Sequence, residues 1–146
     1  MAGMKDIRCT LVTSQKELRA AYHIRHEIFV KEQKLFLKSD RDASDARAIH
    51  IVALFDDEVV GTVRVYEENR GVWFGSRLAV RKPFRGRVGA LLVKKAVETV
   101  KEKKAKRFLA YIQPSAVPFF KRHRWKPVGK PSEYHGKPHQ LMEAPL

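Results

Sequence analysis

The order of hydrophobic patterns predicts an α/β (α+β) fold, a mixed sheet with helices on both of its faces. Three observations carry this. Short runs rich in β-branched and aromatic residues recur at 7–12, 50–55, 59–66, 72–80 and 107–112. Two stretches with apolar residues at helical spacing, one after Ser14 and one over 89–103, interrupt them. The resulting order, β-α-β-β-β-α-β-α-β-β, is a central meander followed by strand–helix alternation, which layers helices over a sheet. With 146 residues, 44% hydrophobic and 32% charged, the chain has the size and composition of one domain spanning 1–146. It shows no repeat and no low-complexity linker.

Each element has its own warrant. Ile7 to Val12 reads as a strand that ends at Ser14. Ser14 and Glu17 have capping-box spacing, and Leu18, Ala21, Tyr22, Ile24, Ile28 and Phe29 give the following helix an apolar stripe. Lys38 to Arg47 is polar and turn-like. His50–Phe55 and Val59–Tyr66 form a hairpin around Asp56-Asp57-Glu58. Val72 to Val80 is a strand that Pro83 ends. Leu92, Val93, Ala96, Val97 and Val100 mark the buried face of the helix at 89–103. Arg107–Ile112 is a continuous run expected of a strand buried on both faces. Pro114 starts a short helix over Ser115–His123. Trp125–Gly129 and Gln140–Glu143 are the last strands, around a Gly/Pro loop.

Composition narrows the function classes. No apolar run approaches the roughly 18 residues of a membrane span. Met1 to Thr10 lacks the layout of a signal peptide, and Met4 reads as a natural start. The single cysteine, Cys9, excludes an internal disulfide and fits a cytoplasmic protein; in a strand it acts as a small hydrophobe rather than a nucleophile. His26-Glu27 lacks the second histidine of a zinc helix, so no metal is expected. The formal net charge of +14 biases partners toward anions. Much of it lies at 81–107, either as a solvated helix face or as a funnel for a phosphorylated ligand or an acidic partner.

The chemistry concentrates where the strand at 72–80 meets the helix at 89–103. Arg85-Gly86-Arg87-Val88-Gly89-Ala90 is a glycine-rich turn with two arginines. Glycines allow close backbone approach, and successive amides at a helix start favour an anion. Arg85 and Arg87 add charge-assisted donors for phosphate. The alternative is a tight strand–helix turn with no ligand.

Leu78-Ala79-Val80, Pro83, Arg85, Gly86 and Gly89 together resemble the central motif of the GNAT superfamily of N-acetyltransferases. Gln113, Ala116, Phe120 and Trp125 are similar to its second signature. Arg25, Ile28, Phe29, Glu32 and Gln33, with the tail Glu133-Tyr134, Gly136, Pro138, His139 and Met142, resemble the ElaA-like subgroup. The four matches follow in order along nearly the whole chain. Three departures stand out. Val88 occupies a motif position that is glycine in an ungapped match, Phe120 stands where many relatives have a tyrosine acid, and Arg124 replaces a glycine.

The resemblance implies a central mixed, mostly antiparallel twisted sheet of six or seven strands flanked by about four helices. It implies acetyl-CoA (or CoA) as cosubstrate, with the pantetheine arm between the strands at 72–80 and 107–112. Backbone groups of Leu78, Ala79 and Val80 would hold that arm. The amides from Arg85 to Ala90 would hold the pyrophosphate. The activity implied is transfer of an acetyl or short acyl group to a primary amine. Glu32 is the candidate base, since it falls in the region bordering the acceptor in relatives. Tyr134 is the candidate acid, in place of the absent tyrosine. Arg25, Arg64, Arg77 and His139 are candidate acceptor-side residues, although arginines within strands also pair with carboxylates of the fold. His50 and His139 are equally readable as caps of backbone groups.

Other readings remain. Arg25–Phe29 followed by Asp40, Asp42 and Asp45 is also similar to acyl-homoserine-lactone synthases, which implies an acidic acyl carrier protein as donor. A basic nucleic-acid-binding module is a third reading, but no recognition motif accompanies the charge. The partners expected are thus a small-molecule or peptide amine, an acidic carrier protein and a second copy in a homodimer.

Overall fold

The computed structural model describes residues 6–146; the start read at Met4 lies outside them. Strand β1 (Arg8–Leu11) leads into helix α1 (Gln15–Arg25). Ser14 Oγ accepts the Glu17 amide at 3.1 Å, as capping requires. Glu17 Oε1 accepts the amide of Thr13 at 3.0 Å, one residue further back than the expected box. The stripe through Phe29 does not continue as one α-helix. From His26 to Glu32 the chain widens into a π-helix, closed by the Gln33 amide donating to Ile28 O at 2.8 Å. The wide turn buries the consecutive residues Ile28 and Phe29. Such turns are frequent at functional sites.

The expected loop at 38–47 contains a 3₁₀ turn, Ala43–Ala46, with a complete Asp42/Asp45 capping box. Strands β2 (Ile49–Phe55) and β3 (Glu58–Asn69) form the hairpin. Asp56 and Asp57 carry φ of 50° and 66°, so the connection is a two-residue turn and Glu58 belongs to the strand. Strand β4 (Val72–Val80) is as expected, and a 3₁₀ turn at Lys82–Phe84 follows it. Helix α2 (Arg87–Glu102), strand β5 (Arg107–Ile112), a 3₁₀ turn at Pro114–Ala116 and helix α3 (Val117–Arg122) come next. The tail folds as β6 (Lys126–Pro127), β7 (Ser132–Tyr134) and β8 (Lys137–Glu143). The Gly/Pro loop thus supplies an additional strand, giving eight among the described residues. The described residues hold three α-helices, the π-turn and 3₁₀ turns making up the other helical segments.

The sheet order is β1-β2-β3-β4-β5-β8-β6, with β7 on β8. Every pairing is antiparallel except β4 with β5. One face is covered by α2, with Val88, Leu92, Val93, Ala96 and Val100 packed on Ile51, Val63 and Phe108. The other face receives Ala21, Ile24, Ile28 and Phe29 against Val52, Leu54 and Val59. On the α2 face Gly61 permits the close approach: a Cβ there would lie 3.0 Å from Leu92 Cδ1 and 3.2 Å from Val88 Cγ1. Val88 is wholly buried, which explains why this turn position carries an apolar side chain. β5 departs from the expectation of burial on both faces. Phe108, Ala110 and Ile112 are buried, whereas Tyr111 is 41% exposed, because its side of the strand borders a cleft.

Candidate active site

β4 and β5 pair only over Val72–Arg107, Trp73–Phe108 and Phe74–Leu109. Beyond Phe74 the two strands separate. Between β3 and β4 the ladder shifts register after Ser76 and resumes at Ala79, so Arg77 and Leu78 oppose the single residue Val63. This is a β-bulge. Arg77 carries it with φ of 58°, a conformation uncommon for any residue but glycine. A cleft of about 510 Å³ opens at the separation, lined on the α2 side by Val93, Ala96, Ala110 and Phe120. On the opposite side it is lined by Phe29, Phe36, Phe74, Arg77, Tyr111, Tyr134 and His139. Its rings form a row across four strands. Tyr66–Phe74, Phe74–Tyr111 and Tyr111–Tyr134 stack at 6.3, 5.9 and 5.2 Å.

The turn entering α2 lies at the end of β4. Gly86 has φ of 89° and ψ of −77°, which requires glycine. The Arg85 amide donates to Lys82 O and the Ala90 amide to Gly86 O. These two ends of the expected anion cradle are therefore committed within the protein. Arg87, Val88 and Gly89 provide the first-turn amides that precede any intrahelical bond. A Cβ built on Gly89 would meet no atom within 4 Å. The Arg85 side chain does not face this point. Its Nε donates to Val80 O at 2.9 Å, and its two Nη atoms hold Glu32 at 2.9 and 2.7 Å.

Glu32 accordingly lies in a second groove with His23, Glu27, Lys31 and Arg81, not in the cleft. The Arg85 hydrogen bonds hold its carboxyl below the usual carboxylate range, which weakens it as a base. The neighbouring Gln33 does reach the cleft. It accepts a bond from Gln113 Nε2 at 2.8 Å, spanning from the π-turn to the end of β5.

Arg25 and Arg64, expected on the acceptor side, are both 1% exposed and pair with the fold. Arg25 binds Asp40 at 2.7 Å and Asp45 at 2.7 and 3.0 Å. Arg64 binds Asp42 at 2.6 and 2.9 Å and Asp45 at 2.8 Å. Burial alone would raise Asp45. The hydrogen bonds from Arg25, the Asp42 amide and Arg64 outweigh it and hold the carboxyl well below its ordinary range. Asp42 is lowered chiefly by Arg64. His50 donates from Nε2 to Asp45 O at 3.0 Å, closing the cluster. These charges pin the 40–47 segment to the sheet. The sequence signal was there, three aspartates within six residues opposite three arginines set among apolar neighbours.

The other two acceptor-side candidates meet in the cleft with Tyr134. Arg77 Nη1 donates to Tyr134 Oη at 3.2 Å. The Tyr134 ring stacks on Tyr111 with planes 9° apart and meets His139 edge-on, with centroids 5.1 Å apart. His139 Nδ1 lies 3.0 Å from Lys137 O. A carbonyl only accepts, so Nδ1 carries the proton and Nε2 keeps its lone pair. Among the described residues no sealed side-chain nitrogen or oxygen lacks a partner. Among the described hydrogen bonds Nε2 has no partner, and the ring lines the cleft. Leu78 also lines the cleft, whereas Ala79 packs under α1 and Val80 under α2. Phe120 lines it too, packed edge-on against Trp125.

A family model described as the Acetyltransferase (GNAT) family matches residues 15–124. The chain belongs to the GNAT acetyltransferase family. Within this family it is 27% identical over 121 residues to the uncharacterized N-acetyltransferase YjcF of Bacillus subtilis, covering 82% of this chain and 86% of that one. Escherichia coli ElaA superposes with a TM-score of 0.84 at 25% identity, over 95% of this chain and 99% of its own. A GNAT acetyltransferase from Elizabethkingia anophelis, solved with acetyl-CoA bound, superposes with a TM-score of 0.72 at 14% identity, over 97% and 99%. The chain is thus an acyltransferase on the GNAT fold. No helix among the described residues is long and apolar enough to cross a membrane.

Proposed function

We propose that this protein transfers an acetyl or short acyl group from acyl-CoA to a primary amine, by direct attack within a ternary complex. The observation that carries this is the separation of β4 from β5 beside the first-turn amides of Arg87, Val88 and Gly89. The pyrophosphate is held by those amides and the α2 dipole, and Arg87 adds charge at the same helix start. The pantetheine arm lies in the gap, along Leu78 to Val80 on one side and β5 on the other. The acceptor enters from the aromatic side, which suits an amine carried on an apolar or aromatic body. A cytoplasmic location agrees with the lone Cys9, whose thiol burial pushes up to about 11 and so keeps unreactive.

In the reaction, the amine nitrogen attacks the thioester carbonyl carbon and the C–S bond breaks. The Nε2 lone pair of His139 takes the proton that the nitrogen loses. The Tyr134 hydroxyl gives its proton to the leaving sulfur, and the phenolate is reprotonated from the His139 imidazolium through water. The net transfer is one proton from amine to thiolate.

Calorimetry with acetyl-CoA and kinetics of Tyr134→Phe test the reading. Binding should be intact in the variant, and kcat should fall by about 10²–10⁴-fold. No acetyl-CoA binding by the parent protein would sink the reading; an unchanged kcat would remove Tyr134 from it. A carrier-protein donor is the second reading, favoured by the charge of residues 81–146, where 17 Lys and Arg face 4 Asp and Glu, a net +13. Acylated carrier protein outcompeting acetyl-CoA as donor would select it.

A further inference from the structure

The aspartates of the 40–47 segment are all paired without Arg77. Arg25 serves Asp40 and Asp45, and Arg64 serves Asp42 and Asp45, at 2.6–3.0 Å. To their carboxylates Arg77 adds only longer contacts, Nε to Asp40 Oδ2 at 3.3 Å and Nη2 to Asp42 Oδ2 at 3.2 Å. Yet Arg77 sits in a left-handed conformation at a bulge in the middle of a strand, which persists only where the surroundings impose it. A strut for a loop already held by two other arginines does not account for that conformation.

The contacts around the guanidinium point elsewhere. It is 6% exposed, its Nε donates to Asp40 O at 3.0 Å, and it lies over the Phe36 ring at 4.6 Å. Its remaining nitrogen, Nη1, meets Tyr134 Oη. Arginine has no acceptor, so in this bond the tyrosine oxygen accepts. The hydroxyl proton is thereby left for a partner in the cleft, and no other protein group receives it in the described hydrogen bonds. When that proton leaves, the guanidinium is already in place against the oxyanion, and such charge-assisted bonds are about twice as strong as neutral ones.

We infer that Arg77 is the positioning residue of the proton donor: its strained backbone aims a guanidinium at Tyr134 so that the phenol presents its proton to the leaving thiolate and the phenolate is held once formed. The inference rests on the role of Tyr134 given above.

The test uses Arg77→Gly, which removes the guanidinium and suits the positive φ, and Arg77→Asn as a second variant that tolerates the same conformation. Turnover is read as thiol released from acetyl-CoA with 2-phenylethylamine as acceptor, or with water where the amine gives none. Both variants should stay folded, with a melting temperature lowered by the loss of a buried side chain, and keep KM for acetyl-CoA within about twofold, while kcat falls at least about tenfold. In a Tyr134→Phe background the same changes should lower kcat no further. Millimolar guanidinium chloride should restore part of the rate to Arg77→Gly and none to Tyr134→Phe. A drop in kcat that persists in the Tyr134→Phe background overturns the inference. So does a normal kcat in Arg77→Gly beside a slow Tyr134→Phe, an outcome that leaves the role of Tyr134 standing. A normal kcat in Tyr134→Phe overturns both.

Discussion

At the scale of single residues, side chains placed together by chemistry in the sequence separate in space. The sequence offers both Glu32 and Tyr134 as proton-transfer groups, but only Tyr134 lines the cleft. Glu32 serves Arg85, and this pair braces the cofactor turn against the π-helix. Glu32→Gln should therefore leave kcat within about threefold and change stability by no more than about 1 kcal/mol, as expected of a solvent-exposed pair. His139→Asn should behave oppositely. Its amide can still donate to the Lys137 carbonyl, but the lone pair of Nε2 is gone. Steady-state kinetics should show kcat lower by about 10²–10⁴-fold, with acetyl-CoA affinity unchanged by calorimetry. His139 was legible as a cleft residue only through its family position. Nothing in the local sequence announced that Lys137 O would fix its tautomer, because that bond exists only once the tail has folded into β7 and β8.

At the scale of elements, two features govern behaviour. The first is the start of α2. Gly89 lies in the first turn of the helix, with open space where a Cβ would stand. Gly89→Ala should stabilise the free protein by about 0.5–1 kcal/mol, since alanine suits a helix better. It should weaken acetyl-CoA by about tenfold, about 1.4 kcal/mol, because on the proposed reading the methyl would stand where the phosphate approaches. A melting curve and a calorimetric titration check both signs. The second is the 40–47 segment. Asp42 and Asp45 have folded-state values below their ordinary ones. Their contribution to stability is therefore complete above the unfolded value, about 3.9, and is lost as pH falls through the lower folded values. Urea melts should show stability steady at neutral pH and dropping below about pH 4. Asp45→Asn should cost about 3–5 kcal/mol at pH 7, because it leaves Arg25 and Arg64 short of charge, and should flatten that acid-side decline. Most elements were legible from periodicity. The π-helix was not, because its residues keep an apolar pattern that a 3.6-residue turn also accommodates, and β7 was not, because three polar residues between prolines and glycines carry no alternation.

At the scale of the whole molecule, charge is divided by sequence position. Residues 1–80 hold 13 Lys and Arg against 12 Asp and Glu, while residues 81–146 carry the net +13. The basic part contains α2, α3 and the entry turn, so an anionic donor is drawn toward the cofactor end. Raising salt from 0.1 to 1 M, which shortens screening from about 10 to about 3 Å, should lower kcat/KM for acetyl-CoA with little change in kcat. The three-pair seam between β4 and β5 has a mechanical meaning as well. β1 to β4 and β5 to β8 are two plates fastened at one end, with no rungs across the open end. On the reading proposed above, the pantetheine arm would lie between them in place of the missing rungs, so that the donor would complete the sheet that positions it. A sheet pulled across its strands should tear first at this seam, and more reluctantly when acyl-CoA is bound.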